Sequence, residues 1–563
     1  MKISALLFFV ICNLFSCSGK ISDHLNQPDE SSDHFEELCG EPLLVYDRPV
    51  LPLETNVAEV AKYSGEIKGC LKVPDVKDGQ ILMKEGCYEG CIAAEGIIEV
   101  TGAGSEKTLI ICNDKEKDGV ITVGKQATVY VKDLSLNGNT RGIFSGSGSR
   151  LTLENVAIYN VFKGGINVCG DEDICDSEVF VSSALITDIK TDESKISYGI
   201  SMGSGDIYIK DSILKGFNSF GISFWGTSDN RVKGVIENSI ISEVSGGSRV
   251  FEGHGIYGEN NVDLSISQSL ISKCSSTFIF ITGEEGIRSV KMRDVTADTT
   301  VNEEKEQGGM VFDKRTDISM HRVIIKNSRG NGLFLKDSDI KGEDITIESV
   351  SHDGLGQSGF GILLFDKGNS FFNRISIKDS AIAGILIDGE NRTQIKNFNI
   401  SGTKPEENTL EYGIGIAVQD GAELSLEKGI VEKNRECGIM VINGNIQLKD
   451  VLIKNTLPRK CQEKNMCQFA PGIPFGHGLS LYNNSKMVFN GIYIEGNNNG
   501  MNLESSEVLK MEGGKALFLN NVNAVNAWNL KNYFVLEDNL ENASFCGNDS
   551  VFTTDMQPVR DQL

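Results

Sequence analysis

Acidic residues recur at the ends of short apolar runs, where they could act on a carbohydrate or hold a cation. Glycoside hydrolysis needs two carboxyl groups, one as an acid and one as a base or nucleophile. Calcium is bound by clustered carboxylate and amide oxygens. Asp and Asn are also ordinary turn residues, so a structural role stays open. The aspartates in this position are Asp313, Asp337, Asp366, Asp388 and Asp420, and Asn443 and Asn483 occupy it further along the chain.

These aspartates are candidates for two functions. Asp366, Asp388 and Asp420 are candidates for catalysis by a glycosidase or lyase. Asp313, Asp337, Asp366 and Asp388 are candidates for binding Ca²⁺, because neighbouring copies of a repeat would lie roughly 5 Å apart. Calcium is the one cofactor that the sequence suggests, and no cofactor is required.

The histidine of Gly253-His254-Gly255 is a further candidate for catalysis, because Gly-His-Gly is similar to a motif of polygalacturonases. The companion motifs of those enzymes, Asn-Thr-Asp, Asp-Asp and Arg-Ile-Lys, do not occur in this sequence. The same local pattern recurs at Gly476-His477-Gly478, which favours a structural way of entering a strand.

Trp225 is the one candidate for binding a ligand directly. It ends the run Gly221-Ile-Ser-Phe-Trp225, so it falls just after a predicted strand. An indole ring in that place can serve as a platform for a sugar ring, or it can be an aromatic side chain packed into a turn.

A repeat of about 22 to 25 residues must position all these side chains. One unit is Leu151–Asn160 followed by Gly165-Ile166, and another is Ile318–Asn327 followed by Gly332-Leu333. Apolar and polar residues alternate within each unit, as in half-buried strands. No helical segment separates the units, so the pattern predicts an all-β solenoid of roughly 15 or more coils, each stacked on the last.

The resemblance of the first coils identifies the type of solenoid. Gly79–Tyr88, Ile97–Gly104 and Thr108–Ile111 are similar to the opening coils of the pectin-lyase-like superfamily, and the likeness extends to about Leu530. The resemblance implies a right-handed, single-stranded parallel β-helix. Because that superfamily includes polysaccharide lyases, hydrolases and many uncharacterised surface proteins, the fold leaves the function open.

An asparagine recurs at one turn of the repeat. We expect it in the left-handed conformation, which Asn tolerates, with its amide bonded to the next coil. The residues are Asn160, Asn327, Asn434, Asn455 and Asn497.

Some coils are longer, about 30 residues or more, and their extra residues fall at one place in the repeat. Insertions at one equivalent position project from one side of a solenoid, which is often its binding side. Neutral loop growth is the alternative. The insertions are 190–195, 245–254, 302–307, 352–358, 404–409 and 458–477.

The N-terminus has the features of an export signal. Lys2 precedes an apolar run, and Leu14-Phe-Ser-Cys17 resembles a lipobox, so we expect lipidation at Cys17. A secretory signal cut near Cys17 is the alternative. Residues 18–45 are acidic and poor in apolar residues, which predicts a flexible tether. The predicted organisation is therefore signal 1–17, tether 18–45, β-helix 46–528 and cap 529–563.

Charge and cysteine content limit the partners and the compartment. The formal charge of −24 disfavours nucleic acid and anionic lipid as partners. Export permits disulfides among the 14 cysteines. Cys169 with Cys175 and Cys461 with Cys467 share one spacing across polar stretches, so each pair is a candidate loop disulfide, although buried free thiols are common in such interiors.

The sequence predicts a lipoprotein of the cell envelope, at the outer membrane or cell surface or facing the periplasm. Its β-helix would act as a scaffold that binds carbohydrate or a surface partner, and the membrane contact would be made through the N-terminal lipid. A polysaccharide lyase or glycoside hydrolase with its site on the looped side is the alternative, and a structural spacer is the third. No complete catalytic motif decides among them.

Overall fold

The computed structural model describes residues 46–563 with several gaps, so the predicted signal, Cys17 and the predicted tether lie outside the described residues. The described part of the chain contains strands and no helix. None of it forms a helix long and apolar enough to cross a membrane. The gaps are 76–78, 170–174, 192–195, 247–251, 302–307, 354–357, 406–411, 459–467, 471–472, 475, 505–509, 529–542, 549 and 556–563.

The strands fall into two compact units. The N-terminal unit comprises Val50–Arg329 and Leu333–Thr346, and the C-terminal unit contains Gly330–Gly332 and Ile347–Leu563. The strands up to residue 348 are β1 Leu71–Lys72, β2 Gln80–Leu82, β3 Gly86–Glu89, β4 Ile92–Ala94, β5 Ile97–Thr101, β6 Thr108–Cys112, β7 Gly119–Val123, β8 Thr128–Gly138, β9 Arg141–Ser145, β10 Arg150–Tyr159, β11 Gly164–Val168, β12 Ser177–Thr187, β13 Tyr198–Met202, β14 Gly205–Lys210, β15 Ile213–Phe217, β16 Phe220–Trp225, β17 Val232–Glu237, β18 Ile240–Val244, β19 His254–Glu259, β20 Val262–Cys274, β21 Ile279–Thr282, β22 Arg288–Thr300, β23 Met310–Asp313, β24 Thr316–Lys326, β25 Asn331–Lys336 and β26 Asp339–Glu348. The later strands are β27 Phe360–Phe365, β28 Lys367–Lys378, β29 Ala383–Asp388, β30 Glu390–Ser401, β31 Ile414–Gln419, β32 Glu423–Glu432, β33 Cys437–Ile442, β34 Asn445–Lys454, β35 Gln468–Ala470, β36 Ile473–Pro474, β37 His477–Tyr482, β38 Lys486–Glu495, β39 Asn499–Glu504, β40 Lys510–Gly513, β41 Ala516–Leu519, β42 Asn523–Trp528, β43 Ala543–Cys546 and β44 Ser550–Asp555.

The longer strands form a first series that stacks in parallel within each unit. In the N-terminal unit, Leu151 of β10 pairs with Val129 of β8 and with Val179 of β12. All three side chains are buried, because strict alternation sends every second residue of a strand inward. In the C-terminal unit, Ile395 of β30 pairs in the same way with Leu426 of β32.

The short strands, many of which have a glycine at or next to their first residue, form a second parallel series. Ile222 of β16 pairs with Ile200 of β13 and with Ile256 of β19, and all three lie in the core. A Cβ on Gly221 would lie 2.5 Å from the Gly255 carbonyl oxygen, so the glycine lets neighbouring coils approach closely. The recurrent Gly-Ile pair thus marks the second series, and the prediction of an all-β parallel solenoid is confirmed.

A residue in the left-handed conformation bends every coil of the first series from β8 to β38. Asp133, Asn155 and Ser183 have φ angles of 58°, 51° and 48° and lie in register on consecutive coils. Short polar side chains tolerate this conformation because they bond locally. In the N-terminal unit we call this set the turn column: Asp133, Asn155, Ser183, Asp211, Asn238, Gln268, Asp294, Arg322 and Asp344.

The prediction for the recurrent asparagines needs a correction. Asn160, Asn327 and Asn455 are left-handed as expected, but Asn434 and Asn497 each follow the left-handed residue of their turn. Both are buried, and their side-chain oxygens accept from backbone amides of neighbouring coils, Asn434 from Thr403 at 3.1 Å and Asn497 from Thr456 at 2.9 Å. They satisfy buried backbone groups, and Lys433 and Gly496 make the bends.

The predicted insertions occupy one topological position. In the chain order of both units, each predicted insertion follows a first-series strand and precedes a second-series strand, for example between β12 and β13 or between β30 and β31. Most of their residues lie outside the described part of the chain. Within the predicted cap, 529–563, β43 and β44 pair in parallel with β41 and β42, so this segment adds further strands to the coils.

Disulfides close the first coils. Cys70 is bonded to Cys87, and Cys91 to Cys112, two pairs that the sequence analysis did not propose. Cys169 and Cys175 are also bonded. Cys274 and Cys437 are buried free thiols. Cys461 and Cys467 lie outside the described residues.

Candidate functional site

The outward face of the second series in the N-terminal unit presents aromatic side chains. Phe224 points into the core, so its neighbour Trp225 lies on the outer face of β16. Trp225 is in register with Glu259 of β19, and Tyr257 of β19 is in register with Phe280 of β21. Parallel register therefore brings together residues that are far apart in the sequence.

These rings form one cluster, in which a single ring is exposed to solvent. The ring of Trp225 lies 4.9 Å from that of Tyr257 and 6.0 Å from that of Phe220, edge-on to the latter. Trp225 is 39% exposed, whereas Phe220, Tyr257 and Phe280 are buried. Trp225 is thus packed on one side and exposed on the other. The ring is a packed aromatic side chain and also has a face that a sugar ring could contact. The aromatic patch consists of Phe220, Trp225, His254, Tyr257 and Phe280.

A carboxylate completes the patch. The Tyr257 hydroxyl donates to Oε2 of Glu259 at 2.8 Å. Burial, reinforced by Glu259, raises the pKa of Tyr257 far above its usual value, so this phenol keeps its proton and remains a donor. Since Glu259 is the register neighbour of Trp225, an acceptor for hydroxyl groups lies beside the exposed indole.

His254 occupies the buried side of the patch. Its ring stacks near Phe220 at 6.0 Å and Phe280 at 5.2 Å, and its Nδ1 lies 2.6 Å from the Thr277 hydroxyl oxygen. Only 1% of the residue is exposed. A general acid or base must reach the substrate, so this position favours the structural interpretation of the Gly-His-Gly segment.

In the N-terminal unit, Asp313 and Asp337 are near neighbours with different backbone conformations. Asp313 ends β23 in register with Lys336, and Asp337 follows Lys336 in the left-handed conformation. Burial raises the pKa of Asp313, with Lys336 acting against the rise and Asp337 adding to it. Across the described residues, no three His, Cys, Asp or Glu side chains are grouped closely enough to hold a metal ion.

In the C-terminal unit, Asp388 is the buried member of the aspartate set. Gln419, its register neighbour on β31, donates from Nε2 to Asp388 Oδ2 at 3.0 Å. Burial raises the pKa of Asp388; Gln419 opposes this, and the carboxylates of Asp420 and Asp366 add to the rise. Asp366 and Asp420 are left-handed turn residues and Asp388 is not, so the predicted row is staggered by one residue.

The second series of the C-terminal unit also carries a polar outer face, which the sequence analysis did not propose. On β37 and β39, Leu479 and Met501 point into the core, while polar residues alternate with them on the opposite face. Asn499 is hydrogen-bonded to His477 Nδ1 at 2.9 Å, and Asn526 donates to Asn502 at 2.6 Å. The polar patch consists of His477, Ser480, Tyr482, Asn499, Asn502, Glu504 and Asn526, all buried.

Burial controls the charge of the polar patch. It raises the pKa of Glu504 to about 7 and lowers that of His477 to about 3. Glu504 is in register with Tyr482, whose pKa burial also raises. Each group is therefore held toward its neutral form, as expected when desolvation outweighs nearby charge.

Comparison with known proteins supports the architecture. The family model described as "Right handed beta helix region" matches residues 300–457. Together with the parallel register in each unit, this match decides the handedness of the coil. The chain is a right-handed parallel β-helix protein. No curated protein matches its sequence.

Several solved structures are similar to this β-helix at low identity. "Geobacillus virus E2 - ORF18" is 11% identical over 60% of this chain and 52% of its own, with a TM-score of 0.27. The Agl-KA catalytic domain is 13% identical over 64% of this chain and 59% of its own, with a TM-score of 0.28. The catalytic domain of a GH87 alpha-1,3-glucanase in complex with tetrasaccharides is 11% identical over 89% of this chain and 71% of its own, with a TM-score of 0.27. The β-helix thus spans little more than half the length of the first two proteins.

Sequence reasoning missed Phe220, Tyr257 and Phe280 of the aromatic patch and the neighbouring Glu259. Their strands were read one at a time, whereas the site forms across neighbouring coils. Aligning Gly221–Trp225 with Gly255–Glu259 residue by residue would have placed Glu259 beside Trp225. The alignment needs the length of each intervening loop, and the loop between β18 and β19 contains one of the insertions.

Proposed function

We propose that this β-helix protein is a scaffold of the cell envelope that binds carbohydrate at the aromatic patch. The observation that carries the proposal is the exposed indole of Trp225 with the Glu259 carboxylate as its register neighbour. The apolar face of a sugar ring stacks on such an indole, while a carboxylate accepts its hydroxyl groups. Tyr257 and Phe280 hold this pair in place from the buried side.

The rigidity of the site favours binding with little reorganisation. Trp225 Nε1 donates to the Ser223 hydroxyl at 3.1 Å, which fixes the orientation of the indole. Glu259 is oriented by the Tyr257 hydroxyl. Side chains that are already ordered lose less conformational entropy when a ligand binds.

The envelope location rests on the N-terminal sequence. Lipidation at Cys17 would hold the β-helix at a membrane surface, with residues 18–45 as the tether. Growth with a radiolabelled fatty acid tests this part of the proposal. The wild-type chain should incorporate label and a Cys17→Ala variant should not. Label in both, or in neither, would contradict lipidation at this residue.

A glycan array tests carbohydrate binding, with and without Ca²⁺. Trp225→Ala should weaken binding of any glycan hit by about tenfold or more, since a central aromatic side chain carries much of the energy of such a site. Tyr130→Ala is the matched control, because Tyr130 is a comparably exposed aromatic residue (42%) on a first-series strand. Equal losses in both variants, or none in Trp225→Ala, would contradict the assignment of the site.

A polysaccharide lyase or hydrolase is the second candidate, favoured by the buried Asp388 with Asp366 and Asp420 close by in the C-terminal unit. A carboxyl group of raised pKa near a second carboxyl group is the arrangement used for acid–base chemistry on glycosidic bonds. Chain shortening of a bound polysaccharide that is lost in Asp388→Asn would establish this activity. Binding without shortening would exclude it for that glycan, and an absence of glycan binding would favour a protein partner or a spacer.

A further inference from the structure

An extended segment, Val50–Ser64, runs along the turn column without pairing as a strand, and we call it the strap. Its backbone amides donate to turn side chains at intervals of three residues. Val50 donates to Asp344 Oδ1 at 3.0 Å, Leu53 to Asp294 Oδ1 at 3.1 Å, and Asn56 to the Asn238 side-chain oxygen at 3.3 Å.

The spacing of these bonds fits the geometry of the coils. Gln268 lies in register between Asn238 and Asp294, so the amides of Leu53 and Asn56 reach every second coil. Two coil spacings are about 9.6 Å. Three residues of extended polyproline-II chain rise about 9.3 Å. An extended peptide therefore stays in register with the turn column at three residues for every two coils.

A second set of contacts has the same period. The side chains of Val57, Val60 and Tyr63 pack on an apolar column that lies on the outer face of the first series. The main members of that column are Leu109, Ala157, Leu185, Ile213 and Ile240. The backbone bonds of residues 50–56 and the apolar contacts of residues 57–63 thus each recur every third residue, which is the repeat of the polyproline-II conformation.

Two ion pairs also contact the second half of the strap. Glu59 pairs with Lys215 at 2.8 Å and Lys62 with Asp188 at 2.5 Å. Exposed ion pairs of this kind contribute little stability each. An open pocket of about 490 Å³ lies beside residues 56–61 of the strap and is also lined by Asn155, Ser183 and Asp211.

The contacts of the strap are distant in sequence. Val50 and its acceptor Asp344 are 294 residues apart, and Asn56 and its acceptor Asn238 are 182 residues apart. The strap can therefore bind only after those coils exist. Among the described residues, the first disulfide-bonded cysteine is Cys70, which follows the strap.

We propose that the turn column from Asp133 to Asp344 is a binding surface for an extended polypeptide, and that the strap is its exchangeable ligand within the same chain. The surface selects a segment with free backbone amides at every third residue of its first half and apolar side chains at every third residue of its second half. The natural occupant is the strap of the same chain. This inference is independent of carbohydrate binding.

Cleavage of the folded full-length protein tests the inference. A protease recognition sequence is inserted between Ile67 and Lys68, in an exposed stretch, and is cut after folding. A fluorescent peptide of sequence 50–64 is then added, and its binding is followed by anisotropy. One peptide should bind to each cleaved protein molecule. The uncut protein should bind the peptide more weakly, because its own strap is still covalently attached and competes for the surface.

Register supplies the decisive control. A peptide with one glycine inserted after Glu54 should bind about tenfold or more weakly, because the bonds of its two halves can no longer form together. A peptide with the glycine added after Ser64 should bind like the parent. Equal binding of both altered peptides would overturn the proposal. So would the absence of saturable binding, or a cleaved strap that never exchanges.

Discussion

The aromatic patch of the N-terminal unit and the polar patch of the C-terminal unit begin with the same local sequence and end in different chemistry. His254 and His477 each stand between two glycines at the start of a second-series strand, and each is 1% exposed. His254 is surrounded by the rings of Phe220, Tyr257 and Phe280. His477 is instead hydrogen-bonded to the side-chain amide of Asn499.

The difference shows what a local motif can and cannot specify in a β-helix. Gly-His-Gly sets the backbone and buries the histidine in both places. The environment of the ring comes from the strands before and after it in register, such as β16 and β21 for His254 and β39 for His477. The chemical environment of a side chain is therefore set by residues of several neighbouring coils that lie in register with it.

Phe280→Ala should have the largest effect on stability. The substitution removes a buried ring that packs on His254 and Tyr257, so we expect a loss of about 3 to 4 kcal/mol in the free energy of unfolding. Urea unfolding followed by near-ultraviolet circular dichroism measures it. Phe280→Leu, which keeps an apolar side chain, should lose about 1 kcal/mol. Similar losses in both variants would mean that the patch is not a packed cluster.

The polar patch should respond to pH in a way that the aromatic patch does not. The pKa of Glu504 is about 7 in the fold against 4.5 ordinarily, so its contribution to stability is full below pH 4.5 and falls as the pH rises to 7. The pKa of His477 is about 3 against 6.5, so its contribution is full above pH 6.5 and falls as the pH drops. The two slopes oppose each other between pH 4.5 and 6.5.

Glu504→Gln should expose the slope that His477 produces. The free energy of unfolding of this variant should rise with pH up to about 6.5 and then stay level, and at pH 8 it should exceed that of the wild type by about 3 kcal/mol. Urea midpoints measured from pH 4 to 8 check this. A variant that keeps the wild-type profile would show that Glu504 titrates normally.

The repeat period of the sequence was enough to predict the solenoid. The alternation of apolar and polar residues indicates strands, and the Gly-Ile pair indicates close contact between neighbouring coils. The sequence also drew attention to Trp225, although it left open whether the ring is a platform for a sugar or is packed into a turn. Glu259 and the polar patch could not be found in this way. They arise where coils of unequal length align, and the register across an insertion is fixed by packing in three dimensions.

Tyr257→Phe should have the smallest effect. It removes the hydrogen bond to Glu259 and leaves the ring in place, so we expect a loss of about 1 kcal/mol in the free energy of unfolding. Glycan binding should weaken as well, because Glu259 loses the donor that orients it. Full retention of glycan affinity would mean that the orientation of Glu259 does not matter for recognition.

The central claim is that Trp225 contacts the bound sugar, and the protein contains only one other tryptophan, Trp528. In a Trp528→Phe variant, indole emission reports on Trp225 alone. Titration with a glycan identified on the array should shift or quench this emission, with the same midpoint as binding measured by calorimetry. Calorimetric binding that leaves the emission unchanged would contradict the account.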